Sequence, residues 1–549
     1  MSEDAVNVGQ ALDNLVHQFA DPWSFLRELI QNAIDAGSRE IDVRIEHEPP
    51  DEEGDGGPGL MLVEIVDSGE GMDREIIDTR LTRLFSSAKD GDYTKIGRFG
   101  IGFVSVFAIE PDLVCVDTGR AGEYWRVLFR ADRSFERIAL DMPVEGTTIR
   151  IYKQADEQAV EDARARARAV LDYWCKHAKV ELRLDDELIT RPMTLEAACV
   201  LTHEEEGTRL LLGLVEDIEP LRGYYHGGLT LHEEYDDRLP FVAFKIDSRY
   251  LEHTLTRDNV IRDENYDKAM AIIAKLAATR LPAALFAELA ARTAAGDQGP
   301  QVDFLRARAL DYVVGARAGE FSLDESVWRA AIFPRVGGPP CSIADLRARK
   351  RKLDIWLTPT AEPGPVGEAL LAQGAPLLRE VDNDQVLEAL VRVGAEHSPR
   401  RLDELCTATP STTHELARWR PLVAALRALL QSRDARISAI ELGHLAYPGS
   451  PVAGHVAITQ ASFGALTPVA EIGKLEQGWL ASKRVVVVNA DHPTVAHLLE
   501  LAGPGDAGEP ELAAYLMLKL FYLRSALSPE LDSALATAAA EARWQRSIN

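Results

Sequence analysis

The chain has 549 residues, room for about three or four domains of ordinary size. Its 46% hydrophobic and 27% charged composition suits a globular protein with a sizeable core, and no run reaches the ~18 apolar residues of a membrane span. A formal net charge of −27 argues against a duplex-binding role, because Lys and Arg on phosphates supply most non-specific affinity for nucleic acid. In chain order, the acidic start Met1-Ser2-Glu3-Asp4-Ala5 lacks an apolar signal core, so no export is expected. Asp21-Pro22 marks a helix start and Gly37 its stop, with Leu26, Leu29, Ile30, Ala33 and Ile34 set to face a sheet. An acidic, glycine-rich stretch over 51–59 reads as a hairpin tip, and 60–66 as a strand ending on Asp67. A glycine-rich loop precedes an apolar helical stretch at 103–107, and 155–179 reads as an amphipathic helix. Mixed strands and helices run to a break at 296–301. A strand, a helix and a glycine stop follow within 352–376, and 398–413 looks like a boundary. The last part opens with a helix over 414–431, passes through a strand at 485–488, and ends in a helix over 512–527 and an Ala- and Leu-rich tail that favours helix. The five cysteines, Cys115, Cys175, Cys199, Cys341 and Cys406, have no metal-ligand spacing; an odd, dispersed set predicts reduced thiols and a cytoplasmic protein.

Four short stretches carry chemistry. Glu28, Asn32 and Asp35 fall at i, i+4 and i+7 and share one helix face. Asn32 can give its side-chain oxygen to Mg²⁺, a hard cation that prefers oxygen ligands, and Glu28 can orient or deprotonate a water. Taken alone, the same stripe would suit a solvated face. Asp67 closes a strand before Gly69 and Gly71, which permit a close turn; its carboxylate can accept from a ring amino group, with Met72 as an apolar wall. An ordinary Asx turn would read the same way. Gly97, Gly100 and Gly102 lead into a helix start, where successive N–H groups form an anion site. That loop is neither a Walker A motif nor a dinucleotide fingerprint. Gly146-Thr147-Thr148 completes the set.

Together, stretches 28–36, 67–72, 97–103 and 146–148 resemble the GHKL-type ATP-binding fold of DNA gyrase, MutL, sensor histidine kinases and the heat-shock-protein-90 (HtpG-type) chaperones. The resemblance implies ATP and Mg²⁺ as cofactors, Glu28 as general base, Asn32 as metal ligand and Asp67 on the adenine amino group. It places Gly97, Gly100, Gly102 and Phe103 on the phosphates and Thr147 on adenine through water. Asp35, Gly71, Met72 and Lys89 join the nucleotide-binding set, Lys89 within a lid segment at 86–89. Residues 223–259 are similar to the middle domain of the HtpG-type chaperones, which assigns Arg257 to the γ-phosphate; a guanidinium suits this because it stays charged and donates in a fork. Where the family tends to carry Gln four positions on, this chain has Ile261. The family's Asn after the second box falls on Thr79 or Arg80, and the 89–97 stretch is short for a lid.

The fold expected from the resemblance is α+β: a Bergerat-type α/β sandwich ATPase domain over 1–151, a ribosomal S5-like middle part over 152–300, an α/β part over 301–405, and an α+β dimerisation domain over 406–549. The function it implies is an ATP-dependent, Mg-dependent molecular chaperone of the cytoplasm, a homodimer that cycles as a clamp on protein clients in protein folding and the stress response, with no membrane. The alternative is a nucleotide-gated protein-binding module in a signalling or defence complex with little hydrolysis. A DNA-topology or mismatch-repair relative would offer a lysine where this chain offers Arg257, and a sensor kinase would need a phospho-acceptor hairpin ahead of the ATP domain. The basic run over 347–352 reads as a solvated helix end rather than a nucleic-acid patch.

Overall fold

The computed structural model describes residues 21–50, 58–82, 101–205, 207–252, 254, 259–348, 354–380, 385–475, 482–503, 508–525 and 527–548. Its architecture is α+β, divided into two compact units, Met1–Leu281 and Pro282–Asn549.

Helix α1 (Phe25–Asp35) follows a single 3-10 turn, Pro22–Ser24. Asp21 caps that turn by accepting from Trp23 N at 2.8 Å, and Pro22 sits where no donor is needed. Gly37, at φ +79°, supplies the left-handed residue that closes α1. Phe25, Leu26, Leu29, Ile30 and Ala33 are buried in one core with alternate residues of an eight-stranded sheet, among them Ile41, Val43, Val63, Ile65, Val116 and Ile149.

The strands of that sheet are β1 (Glu40–Glu48), β2 (Leu60–Asp67), β3 (Leu113–Arg120), β4 (Glu123–Arg130), β5 (Phe135–Ala139), β6 (Thr147–Gln154), β7 (Glu181–Leu184) and β8 (Glu187–Leu188). Their order is β5-β4-β3-β6-β2-β1-β7-β8. Only β1 and β7 pair in parallel. Helix α2 (Glu157–Trp174), capped by Asp156, makes the crossover that a parallel pair requires. The sheet therefore runs past residue 151, through α2, to β8. Its far face is polar. Arg126 grips Asp117 with two bonds of 2.6 and 2.7 Å, and Arg150 bridges Asp117 and Glu64.

A second sheet of the first unit holds β9 (Ala198–Glu205), β10 (Thr208–Leu214), β11 (Leu221–His226), β12 (Leu229–Tyr235) and β13 (Val242–Ser248), in the order β12-β11-β13-β10-β9. Arg27 of α1 reaches it. The buried guanidinium stacks 4.3 Å over Trp174 and donates to Thr230 O at 3.4 Å. Burial pushes its pKa down to about 10. Thr230 in turn donates its hydroxyl to Tyr173 O at 2.7 Å. Helix α3 (Glu264–Ala295) has the length and composition of a membrane span, with mean hydropathy 1.5 over its most apolar 18 residues; Ile273, Leu281, Leu285, Phe286 and Leu289 are buried in the protein, as in a core helix.

In the second unit, Gly296 at φ +78° ends α3 before α4 (Pro300–Ala318), at the break the sequence marks. A parallel three-stranded sheet, Trp356–Thr358 with Leu377–Arg379 and Arg400–Arg401, carries the expected strand–helix–glycine order: helix Gly364–Ala372, then Gly374 at φ +80°. A four-stranded sheet of Thr409–Pro410, Ile437–His444, Arg484–Asn489 and Ala457–Gln460 follows. Where the sequence suggests one apolar helix over 512–527, the structure has helix Pro510–Leu523, preceded by Pro493–Ala502 and followed by Pro529–Ile548. Prolines at the first helical position set two of these starts.

Two glycines of the first unit hold backbone that no other residue could. A Cβ on Gly71 (φ +67°) would lie 2.1 Å from Gly119 O, and one on Gly146 (φ +66°) would lie 1.9 Å from Asp67 O. Alanine at either position is expected to destabilise the first unit by about 1–3 kcal/mol or more, read as a lowered midpoint in denaturant unfolding.

Candidate active site

Helix α1 lays out the site along its length. Glu28 is 3% exposed, and Asn32, one turn on, is exposed. Gly102, in the short helix Ile101–Val104, comes up against both. A Cβ at Gly102 would lie 2.9 Å from Glu28 Oε2 and 3.8 Å from Asn32 Nδ2. The carboxylate, the carboxamide and the end of the glycine loop are therefore one locus. Phe103 turns away, its ring 5.1 Å from Phe129 in the core, which leaves only its backbone for a ligand. Asp35, at the end of α1, is exposed and accepts from Gln31 Nε2 at 3.3 Å.

The C-terminal end of α1 forms a second locus. Ala36 O accepts from Glu70 N at 2.9 Å, and the Ala36 methyl packs where a Cβ on Gly69 would intrude. Asp67, Thr147 and Thr118 sit abreast on the adjacent strands β2, β6 and β3. Asp67 Oδ1 accepts from Gly69 N at 2.8 Å, an Asx turn that leaves further acceptor directions on the carboxylate. Thr118 Oγ1 accepts from Met72 N at 2.8 Å, stands 3.1 Å from Thr147 Oγ1 and reaches Gly146 O at 3.3 Å. Met72 is half-buried against the core. Burial raises the Asp67 pKa from its ordinary value, opposed by the amides of Gly69 and Thr147.

Eight residues separate Glu28 from Ala36, so one rigid helix spaces the two loci by about 12 Å. An acceptor carboxylate with an apolar wall at one end suits a purine base. A carboxylate and a carboxamide beside a glycine at the other suit phosphates. Asn32 offers a single amide oxygen, which fits a metal that Mg²⁺ chemistry holds by one or two protein oxygens, substrate phosphates and water. Among the described residues no group of three or more His, Cys, Asp or Glu could hold an ion unaided. Lys89, Gly97, Gly100, the 86–89 segment and Arg257 lie outside the described residues. Thr79 is exposed on a short π turn, Ile77–Leu81, with its hydroxyl on Glu75 O.

Two contributors escape the motif reading, Thr118 and Arg27, and Ala36, the last residue of the first stretch, contributes through a contact the motif does not show. Thr118 has a sequence signal only in retrospect, as the polar residue of a strand whose Val114 and Val116 face the core.

Residues 20–143 match the family described as Histidine kinase-, DNA gyrase B-, and HSP90-like ATPase. The chain is similar to the chaperone protein HtpG of Anaplasma phagocytophilum, 32% identical over 203 residues that cover 33% of this chain and 31% of that protein. It is 26% identical over 300 residues to HtpG of Nitrosospira multiformis, covering 44% of this chain and 45% of that one. The chain thus spans from about a third to somewhat under half of the length of the curated relatives it matches. The matched stretch contains Glu28, Asn32, Asp67 and Gly102 and ends before Thr147, so it takes in three of the four motif stretches.

Two outcomes are expected. Gly102→Ala should push the Glu28 carboxylate aside, since the clashing atom is the end of a flexible side chain, and lower ATP hydrolysis roughly 10–100-fold with little change in Tm. Asp67→Asn should weaken ATP binding by more than about tenfold in calorimetry. It should also raise the Tm of the nucleotide-free protein at neutral pH. The sign follows from linkage. A folded pKa above the unfolded value means the unfolded chain holds fewer protons in the window above about 3.9, so stability falls as pH rises through that window and stays reduced at pH 7.

Proposed function

We propose that this protein is an ATP-dependent, chaperone-like ATPase that works on protein clients. The observation that carries the reading is the single helix α1, which sets the buried Glu28 and the exposed Asn32 against Gly102 and braces the Asp67 turn at its C-terminal end. ATP would lie along α1, adenine on Asp67 with Thr147 and Met72 beside it, phosphates at Gly102. Glu28 would orient and deprotonate the attacking water. Mg²⁺, held through Asn32, would supply charge neutralisation for the phosphates. Lys89, Gly97 and Gly100 would complete the phosphate cradle, and Arg257 would contact the γ-phosphate, roles that rest on the family resemblance. Two HtpG relatives are named as chaperones, which supports protein clients; a cytoplasmic setting rests on the odd, dispersed set of cysteines. The boundaries at residues 300 and 405 belong to the same reading, while the one at 151 falls inside the eight-stranded sheet, which runs on to Leu188.

A homodimer through the C-terminal part is supported by two apolar side chains left at the surface one turn apart near the end of the last helix: Trp544 at 66% and Ile548 at 63% exposure. Those exposures are high for residues of this size, and apolar surface of that kind marks interaction sites. Trp544→Ser together with Ile548→Ser should shift the chain to monomer in light scattering at micromolar concentration.

The decisive measurement is steady-state hydrolysis of Mg-ATP. Glu28→Ala should lower turnover by at least about 100-fold, as loss of a general base does, while ATP affinity stays within a few-fold. Bound ATP with no turnover in the wild type would reject hydrolysis and favour a nucleotide-gated binding module.

A further inference from the structure

A cavity of about 330 Å³ opens in the first unit between the 177–193 segment that follows α2 and strands β10 and β13 of the second sheet. His177, Lys179, Arg191, Arg209, Gly228 and Asp247 line it. None of these belongs to the ATP site described above. In a chain of net charge −27, this concavity inverts the sign: Lys179, Arg191 and Arg209 line it, Lys245 stands directly behind His177, and Asp247 is the one lining carboxylate.

The wall is built and satisfied. Asp247 is buried; its Oδ1 accepts from Gly228 N at 3.1 Å and its Oδ2 lies 3.0 Å from Lys179 Nζ. Gly228 has φ +85°, and a Cβ there would lie 1.9 Å from His177 O, so only glycine lets the β11–β12 turn close on the 177–193 segment. His177 is also buried, with Nδ1 3.2 Å from Arg191 O and Nε2 3.1 Å from Lys245 Nζ. An ammonium can only donate, so Nε2 accepts and Nδ1–H donates to Arg191 O. The imidazole is therefore neutral, as its burial and the charges of Lys245 and Lys176 also favour. Lys176 is matched by Glu233 at 2.8 Å, whereas Lys245 has no carboxylate within ion-pair distance among the described residues.

The rim is loosely held. Arg191 lies 3.4 Å from Asp172 and Arg209 lies 3.4 Å from Glu204, and both carboxylates face solvent. Exposed pairs of this kind contribute little, so either guanidinium can turn onto a ligand at small cost. Two forked guanidiniums and a lysine around a preformed hollow favour a phosphate over a point anion. The volume falls in the range of small-ligand pockets and exceeds what bare phosphate fills.

We propose that this cavity binds a small phosphate-bearing molecule, a phosphomonoester or inorganic phosphate itself, at a site distinct from the nucleotide pocket. The test is isothermal titration of the full chain with inorganic phosphate and, separately, with glycerol 3-phosphate. The wild type is compared with a chain carrying both Arg191→Gln and Arg209→Gln. Both arginines are about half exposed, so the variant should keep the wild-type Tm. Its affinity for the probe should fall by about tenfold or more, as expected for losing charge-assisted hydrogen bonds. The Lys pair at the same positions, which keeps the charge but not the fork, should fall between. Equal affinities for the two probes identify phosphate alone as the ligand; tighter glycerol 3-phosphate binding shows that the cavity seats the organic group too. Wild-type affinity in the Gln pair, or no binding of either probe by the wild type, overturns the proposal. A site at the ATP loop would be untouched by these substitutions, so the two are told apart.

Discussion

The site depends on one constraint: a short helix must be buried along one side and yet carry polar groups to both ends of a ligand. Helix α1 meets it by sinking Phe25, Leu26, Leu29, Ile30 and Ala33 into the core of the eight-stranded sheet, which fixes its axis and its rotation. Rotation matters most. Glu28 lies on the same turn as Leu29, and a buried carboxylate is costly to desolvate, so it persists only where the structure leaves no alternative and the chemistry gains from a water-poor setting. The apolar residues hold the helix, and Glu28 is carried along at a position it would not choose by itself.

The same logic runs through the Asp67 turn. Its carboxyl is burdened by burial and only partly relieved by the Gly69 and Thr147 amides. A sequence selected for stability alone would place asparagine or a hydrophobic residue there. Gly71 and Gly146 show how tightly this region is drawn together: each backbone lies so close to a neighbouring carbonyl that a single methyl has no room. Thr118 links the parts, accepting from Met72 and touching both Thr147 and Gly146, so the acceptor, its wall and its floor move as one piece. Preorganisation of this sort is what a site needs if binding energy is not to be spent on ordering loops.

Much of this was legible in the residues because it rests on local rules. Glu28 and Asn32 share a face by helical spacing, Asp21-Pro22 and Gly37 bound the helix by capping chemistry, and Gly71 sits where positive φ is required. The break near Gly296 follows from patterning of the same kind, whereas the α+β class came from the family resemblance. What stayed hidden depends on contacts between residues distant in sequence. Thr118 has no motif of its own, and the contact that makes Ala36 matter has none; they count because the sheet order sets β3 beside β6 and because α1 ends against the Gly69 turn. The continuation of the first sheet into β7 and β8 was equally invisible, since a parallel pairing across the whole length of α2 leaves no local trace. The helix starts at Pro493 and Pro510 were available in the sequence, as prolines that follow polar residues.

Arg27 shows how the parts could act together. It is the residue immediately before Glu28, and its guanidinium lies on Trp174 at the end of α2 and bonds Thr230 on β12. Thr230 is two residues beyond Gly228, whose close approach to His177 fastens the β11–β12 turn to the 177–193 segment. A guanidinium buried this deeply, with its pKa pushed down to about 10, stays charged at pH 7 and keeps its hold through the stack and one backbone carbonyl. Because cores and packed interfaces shift between discrete arrangements rather than deform smoothly, a change at the β11–β12 turn has few ways to relax that do not pass through Thr230 and Arg27. The helix that holds Glu28 is thus anchored on one side by the core of the eight-stranded sheet and on the other by the second sheet. A displacement of either anchor would be felt at the carboxylate before it was felt at Asp67, which α1 touches only at its far end, through Ala36.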